Sequence, residues 1–219
     1  MFNDQPIFEF RGPFGIPIQI GGSIIFLAFI FMYPFGGAEQ MLWNGIFLGL
    51  IILSIFLHEM GHAWATLVQG HDVKRIMIYG GGGFCERFRA VPLRDEEFIV
   101  AMGPLVNLAI WAGASLLNEH VVEGRYASHI LYLLAQINIF LFALNLVPVQ
   151  PLDGGKLLFL ALRRFFDRSP ATKIAGFIGL VFAVLWIPAM LLCYIYLGFL
   201  LLFLPSIALH WHMFQGRAG

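Results

Sequence analysis

Residues 58–62 read His-Glu-Met-Gly-His, and they follow a run, Ile46 to Leu57, that carries no charge. At helical spacing His58 and His62 lie one turn apart on one face, so two imidazoles can hold one Zn²⁺ with Glu59 beside it. Glutamate and histidine are expensive within a bilayer and tend to be kept there for a task. The pattern therefore points to a zinc hydrolase site built into a membrane helix. The plainer reading of the same residues is a satisfied polar cluster between helices.

Composition fits a membrane setting. Of the 219 residues, 59% are hydrophobic and 12% charged, with 23 Phe and a formal net charge of zero. Nothing in that balance suggests nucleic acid or an acidic substrate. Cys85 and Cys193 are far apart, which is neither a disulfide framework nor a Cys-based zinc pattern. Met1 to Phe14 lacks a basic segment and a cleavage site, so no removable signal peptide is expected.

A spanning helix needs roughly 20 apolar residues. Spans are expected at about 17–36, 42–68, 98–117 and 128–147. The stretch 171–214 is too long for one pass at ~1.5 Å per residue. It reads as a C-terminal helical pair with a turn near Trp186-Ile187-Pro188. The expected fold is an all-α polytopic membrane protein of about six helices. Twelve of the 13 Lys and Arg residues then fall on one side. By the positive-inside rule both termini are cytoplasmic, and the histidine pair lies toward that side. Trp211, His212 and Arg217 read as an interfacial anchor.

Two regions depart from the helical pattern. Lys74 to Pro92 has β-branched and aromatic residues around Gly80, Gly81, Gly82 and Gly83, and reads as a small membrane-associated β-hairpin or strand pair. An edge strand near Ile76–Phe84 could receive an unwound chain by β-addition. A plain turn is the alternative for the glycines. The segment after Leu152 opens on Asp-Gly-Gly and becomes amphipathic, as in a short helix on the cytoplasmic side.

Two histidines leave a catalytic zinc site one protein ligand short. Asp153 is the carboxylate that stands out, because it is expected at the same depth and on the same side as His62. Pro148 and Pro151 stop the preceding helix, and irregular backbone at that depth is tolerated only where protein or water covers it. The plainer reading of Asp153 is a cap of the helix over 154–166, which need not exclude ligation. Asn107 reads as a structural hydrogen-bonding residue, Gly103-Pro104 as close packing or a kink, and Cys85 as a bystander.

His58 through His62, then Met102 through Asn107, then Asn145 through Asp153-Gly154-Gly155, resemble the three signature stretches of the site-2 proteases, the intramembrane metalloproteases of peptidase family M50. The resemblance runs over roughly residues 17–168 and implies one zinc on His58, His62 and Asp153, with Glu59 as catalytic base. It implies that Asn145 engages the substrate backbone and that Gly80–Gly83 belong to a substrate-binding hairpin. The implied activity is zinc-dependent endoproteolysis in or near transmembrane segments of other proteins, within a prokaryotic cell membrane, as regulated intramembrane proteolysis. The partners so implied are a transmembrane protein substrate and the lipid bilayer. A single domain over residues 1–219 is expected, without the PDZ or CBS domains that many relatives carry.

Overall fold

The computed structural model describes residues 4–32, 37–121, 124–197 and 203–217. It divides into two compact units, residues 1–142 and 143–219.

The first unit is organised by α2 (Ala38–Val68), 31 residues long and so roughly 46 Å from end to end. α2, α3 (Leu93–His120), α4 (Arg125–Asn145) and α6 (Arg168–Leu197) are the helices long and apolar enough to cross a membrane among the described residues. The chain is thus a mostly helical, multi-pass membrane protein. α2 and α3 approach closely where residues are small: a methyl group on Gly61 would lie 2.8 Å from the Met102 carbonyl oxygen. Such residues let helix backbones meet where lipid offers no hydrophobic drive to association.

The hairpin expected after α2 is present, as β3 (Val73–Tyr79) and β4 (Gly82–Arg87), antiparallel about a Gly80-Gly81 turn. It belongs to a larger sheet. The strands β1 (Pro6–Arg11) and β2 (Pro17–Gly21) join it in the order β1-β2-β3-β4, with β2 parallel to β3. Two expectations are corrected here. Residues 17–21, read as the start of a first spanning helix, form a strand, and the helix α1 covers only Ser23–Met32; residues 33–36 lie outside those described. Ile76 and Ile78, read as an edge strand, are on the central strand, paired with Ile18 and Ile20 on one side and with Cys85 and Gly83 on the other. The edge on that side of the sheet is β4.

Alternation explains the pairing. Ile18, Ile76 and Ile78 turn to one face and pack with Ile16, Val73 and Ala63 of α2 as a buried cluster. Elsewhere on the sheet Arg75 reaches Gln19 and Glu86, and Lys74 also reaches Glu86. The hydrogen bonds from Lys74 and Arg75 hold the Glu86 carboxyl below its ordinary range. The turn is tied to α1 by Ser23, whose Oγ accepts the Gly80 amide at 2.7 Å, and Asp4 in turn holds the Ser23 hydroxyl.

In the second unit α5 (Asp153–Arg163) is the short amphipathic helix expected after Leu152. The turn expected near residues 186–188 is not there, because α6 runs through Pro188 to Leu197. A membrane helix tolerates an internal proline when other groups take up the freed backbone bond. The chain nevertheless doubles back. Trp186 Nε1 donates to the Phe203 carbonyl, Gly179 faces His210, and Gly176 faces Phe214. Residues 198–202 lie outside those described, and α7 (Ile207–Phe214) packs alongside the first half of α6.

Candidate metal centre

His58 and His62 are both buried in the last third of α2, as is Glu59 between them. Each imidazole has its Nδ1 committed. His62 Nδ1 lies 2.8 Å from the backbone oxygen of Ile99, and a carbonyl can only accept, so this nitrogen carries the proton. His58 Nδ1 lies 2.6 Å from Oδ1 of Asn107. Both Nε2 atoms are thereby left as lone-pair donors, and they face each other at 3.1 Å. Two converging lone pairs repel unless a cation lies between them. An Nδ1–H fixed by an oxygen acceptor is the usual way a protein orients a metal-binding imidazole.

Asp153 is the first residue of α5, after Leu152 at the cap position, and it is buried. A carboxylate oxygen of Asp153 and a nitrogen of each histidine form one group, with all three donor atoms within 4.8 Å of one another. Two imidazoles and a carboxylate are a donor set that suits zinc. The local sequence explains how Asp153 is delivered. A methyl group on Gly154 would lie 2.3 Å from the Leu146 carbonyl oxygen, and one on Gly155 would lie 2.5 Å from the Val149 carbonyl carbon. The Asp-Gly-Gly sequence thus lets the start of α5 press against the chain that precedes it.

Four of the five remaining histidines have partners elsewhere. His71 pairs with Asp95 at 2.8 Å, and His129 stacks edge-on against Trp43. His120 lies 3.9 Å from the carboxylate of Glu119. His210 is buried, with Nδ1 donating to the Ser206 carbonyl and Nε2 accepting the Gln150 amide at 3.1 Å. It therefore pins the backbone three residues before Asp153. Nothing in the sequence near His210 signals this, because the partner is 60 positions away.

Three other residues take parts here that sequence alone did not assign. Asn107, read as structural, holds a histidine of the metal group directly. Gly103, read as packing, lies against both rings: a methyl group there would stand 2.3 Å from His62 Nε2 and 2.7 Å from His58 Nε2. Gly83 lies over the glutamate, since its added methyl would be 2.8 Å from Glu59 Cγ. Of the four glycines, Gly80 and Gly81 form the turn, while Gly82 and Gly83 begin β4. Burial, and then the negative charge of Glu59, raise the pKa of the Tyr79 phenol. Asn145 is the last residue of α4 and is half-buried.

The Gly103 contact makes a direct prediction. Gly103→Ala forces the imidazoles apart in a packed site, where overpacking costs about 1–3 kcal/mol. The variant should remain helical by circular dichroism yet bind zinc at least ~10-fold more weakly, the scale on which disturbing a ligand's support is felt. Undiminished zinc binding in Gly103→Ala would show that the ring positions are not set by this contact.

Fold and site together define an integral membrane protein with a buried His-His-Asp metal-binding group and an adjacent glutamate. The sequence model of Peptidase family M50 matches residues 114–187. The chain is 28% identical over 165 residues to a zinc metalloprotease of Methanocaldococcus jannaschii, covering 75% of this chain and 48% of that protein. It is 30% identical over 137 residues to stage IV sporulation protein FB of Bacillus subtilis, covering 62% and 46%. Among solved structures, the site-2 protease from Methanocaldococcus jannaschii superposes with a TM-score of 0.64 at 22% identity, over 96% of this chain and 93% of that one. The chain is thus similar to peptidase family M50 over residues 114–187 and to proteins described as zinc metalloproteases, and it shares the fold of the solved site-2 protease. It spans about half the length of the curated relatives it matches.

Proposed function

We propose that this chain is a zinc-dependent intramembrane endopeptidase that cleaves peptide bonds in or near transmembrane segments of other proteins. The observation that carries the reading is the paired imidazoles: each has its Nδ1 held by an oxygen, and their Nε2 atoms converge beside Glu59 in a helix apolar enough to span a membrane. His58, His62 and Asp153 would hold one zinc per chain. When bound, zinc would polarise the scissile carbonyl and lower the pKa of water toward neutrality. Glu59 accepts the proton of the attacking water and passes it to the leaving amine. The relatives' names, which describe zinc metalloproteases, support the same assignment.

A transmembrane helix hides its peptide bonds in its own hydrogen bonds, so the substrate must unwind before attack. The edge strand β4, which begins beside Glu59 at Gly83, is suited to receive the extended chain by strand addition. Asn145 would bind substrate backbone near the scissile bond, and the outcome would be release of a membrane-tethered protein, as in regulated intramembrane proteolysis. The test is co-expression with a panel of single-pass membrane proteins, comparing the parent chain with Glu59→Gln. New fragments that depend on Glu59 support the reading, and none across the panel counts against it.

We also propose six crossings, with both termini in the cytoplasm of a prokaryotic cell. The first would be shared between β2 and α1, whose 5 and 10 residues rise about 17 Å and 15 Å, close to a ~30 Å hydrocarbon core. Contact of Met32 with Gly45 near the other end of α2 supports that path. The last would be the return from Phe203 through α7. Single cysteines placed at Ser128 and Ser169, with the native cysteines removed, should label from opposite sides. Labelling from one side only would break this topology.

A further inference from the structure

We propose that Asn138, acting through Asn107, fixes the tautomer in which His58 meets its metal; the inference rests on the zinc site argued above. The chain of hydrogen bonds is directional. Asn138 Nδ2 donates to the backbone oxygen of Leu134 at 2.9 Å and to Ser54 Oγ at 2.9 Å. A backbone carbonyl can only accept, so this contact decides which end of the Asn138 amide is NH₂. Asn138 Oδ1 must then point the other way, where it accepts from Asn107 Nδ2 at 2.8 Å. That contact orients Asn107 in turn and presents its Oδ1 to His58 Nδ1 at 2.6 Å. The imidazole proton therefore resides on Nδ1, and Nε2 keeps its lone pair for the metal.

The two ends of an asparagine amide are nearly the same size and opposite in hydrogen bonding. Released from Asn138, Asn107 could turn and offer Nδ2 to His58. That would favour a lone pair on Nδ1 and a proton on Nε2, the tautomer that cannot ligate through Nε2. Ser54, Asn107 and Asn138 are all fully buried, so water does not scramble the orientation. They come from α2, α3 and α4, so three helices converge on one ligand. Asn107 and Asn138 are positioning residues, because they act on the metal through His58.

The test uses the full chain in detergent and reads zinc affinity by competition with a chromophoric chelator, alongside the visible spectrum of the cobalt-substituted protein. Asn138→Leu keeps the branched shape of the side chain and removes the orienting acceptor. Zinc binding should weaken by ~10–100-fold, the usual consequence of losing an outer support of a ligand. The decisive variant is Asn107→Asp combined with Asn138→Leu. A carboxylate accepts at both ends, so no orienting partner is needed, and most of the lost affinity and the parental cobalt spectrum should return. Parental affinity in Asn138→Leu overturns the proposal. So does a double variant as weak as Asn138→Leu, since that assigns the loss to packing. Should Asn138→Leu not fold, the pair Asn107→Asp and Asn107→Leu decides: the first should retain zinc and the second lose it, and equal losses overturn the proposal. A parent chain that binds no zinc would refute the metal site itself, an outcome distinct from these.

Discussion

Glu59→Gln should leave a folded, zinc-loaded protein whose cleavage of a membrane substrate is lower by at least ~10²-fold, the scale of a lost general base. Glutamine keeps the size and polarity of the side chain, so the contact with Gly83 and the packing of α2 survive. It cannot accept the proton of the attacking water. The measurement is cleavage rate and metal content on the same preparation. Proteolysis at the parental rate with zinc still bound would remove Glu59 from the role of base while leaving the metal site in place.

The second large effect is on the metal. In the double variant His58→Ala/His62→Ala, zinc content should fall from about one per chain to near zero, because a lone carboxylate offers too few donors to hold the ion. The loss should be steeper than for Asp153→Ala, which leaves both imidazoles with their Nδ1 partners. Elemental analysis of the purified protein decides it. Full occupancy in the double variant would mean that the ion is held elsewhere, and the zinc reading of this cluster would fail. Activity alone would be a poor reporter, since on the proposed mechanism losing either the metal or the base would lower cleavage.

Much of the site is written locally. His58 and His62 are four apart, so any helix through them must bring both rings to one face. The charge-free run before them makes a membrane helix the economical choice. Gly80-Gly81 between strand-forming residues makes a two-residue hairpin turn, and Asp-Gly-Gly after two prolines makes a helix start that can approach neighbouring backbone. These features depend on periods of 3.6 and 2 residues and on single-residue conformational limits, which a sequence displays directly.

The elements that escaped reading are non-local. β2 is an apolar segment next to an apolar helix, and only its parallel pairing with β3 makes it a strand. That pairing also moves Ile76 and Ile78 from an edge to the centre and leaves the edge to β4. Pro188 looks like a stop, yet α6 continues through it. No local pattern marks His210, whose partner lies 60 positions away, and none tells that Asn107, read only as a hydrogen-bonding residue, meets a histidine 49 positions away. The sequence by itself therefore determined the membrane class and the placing of His58, Glu59 and His62 on one helix. Tertiary structure alone decided which atoms hold the imidazoles, what a side chain at Gly103 or Gly83 would meet, and which strand borders the site. Each of those depends on hydrogen bonds and close contacts between segments far apart in the chain, and no repeat along a single segment encodes them.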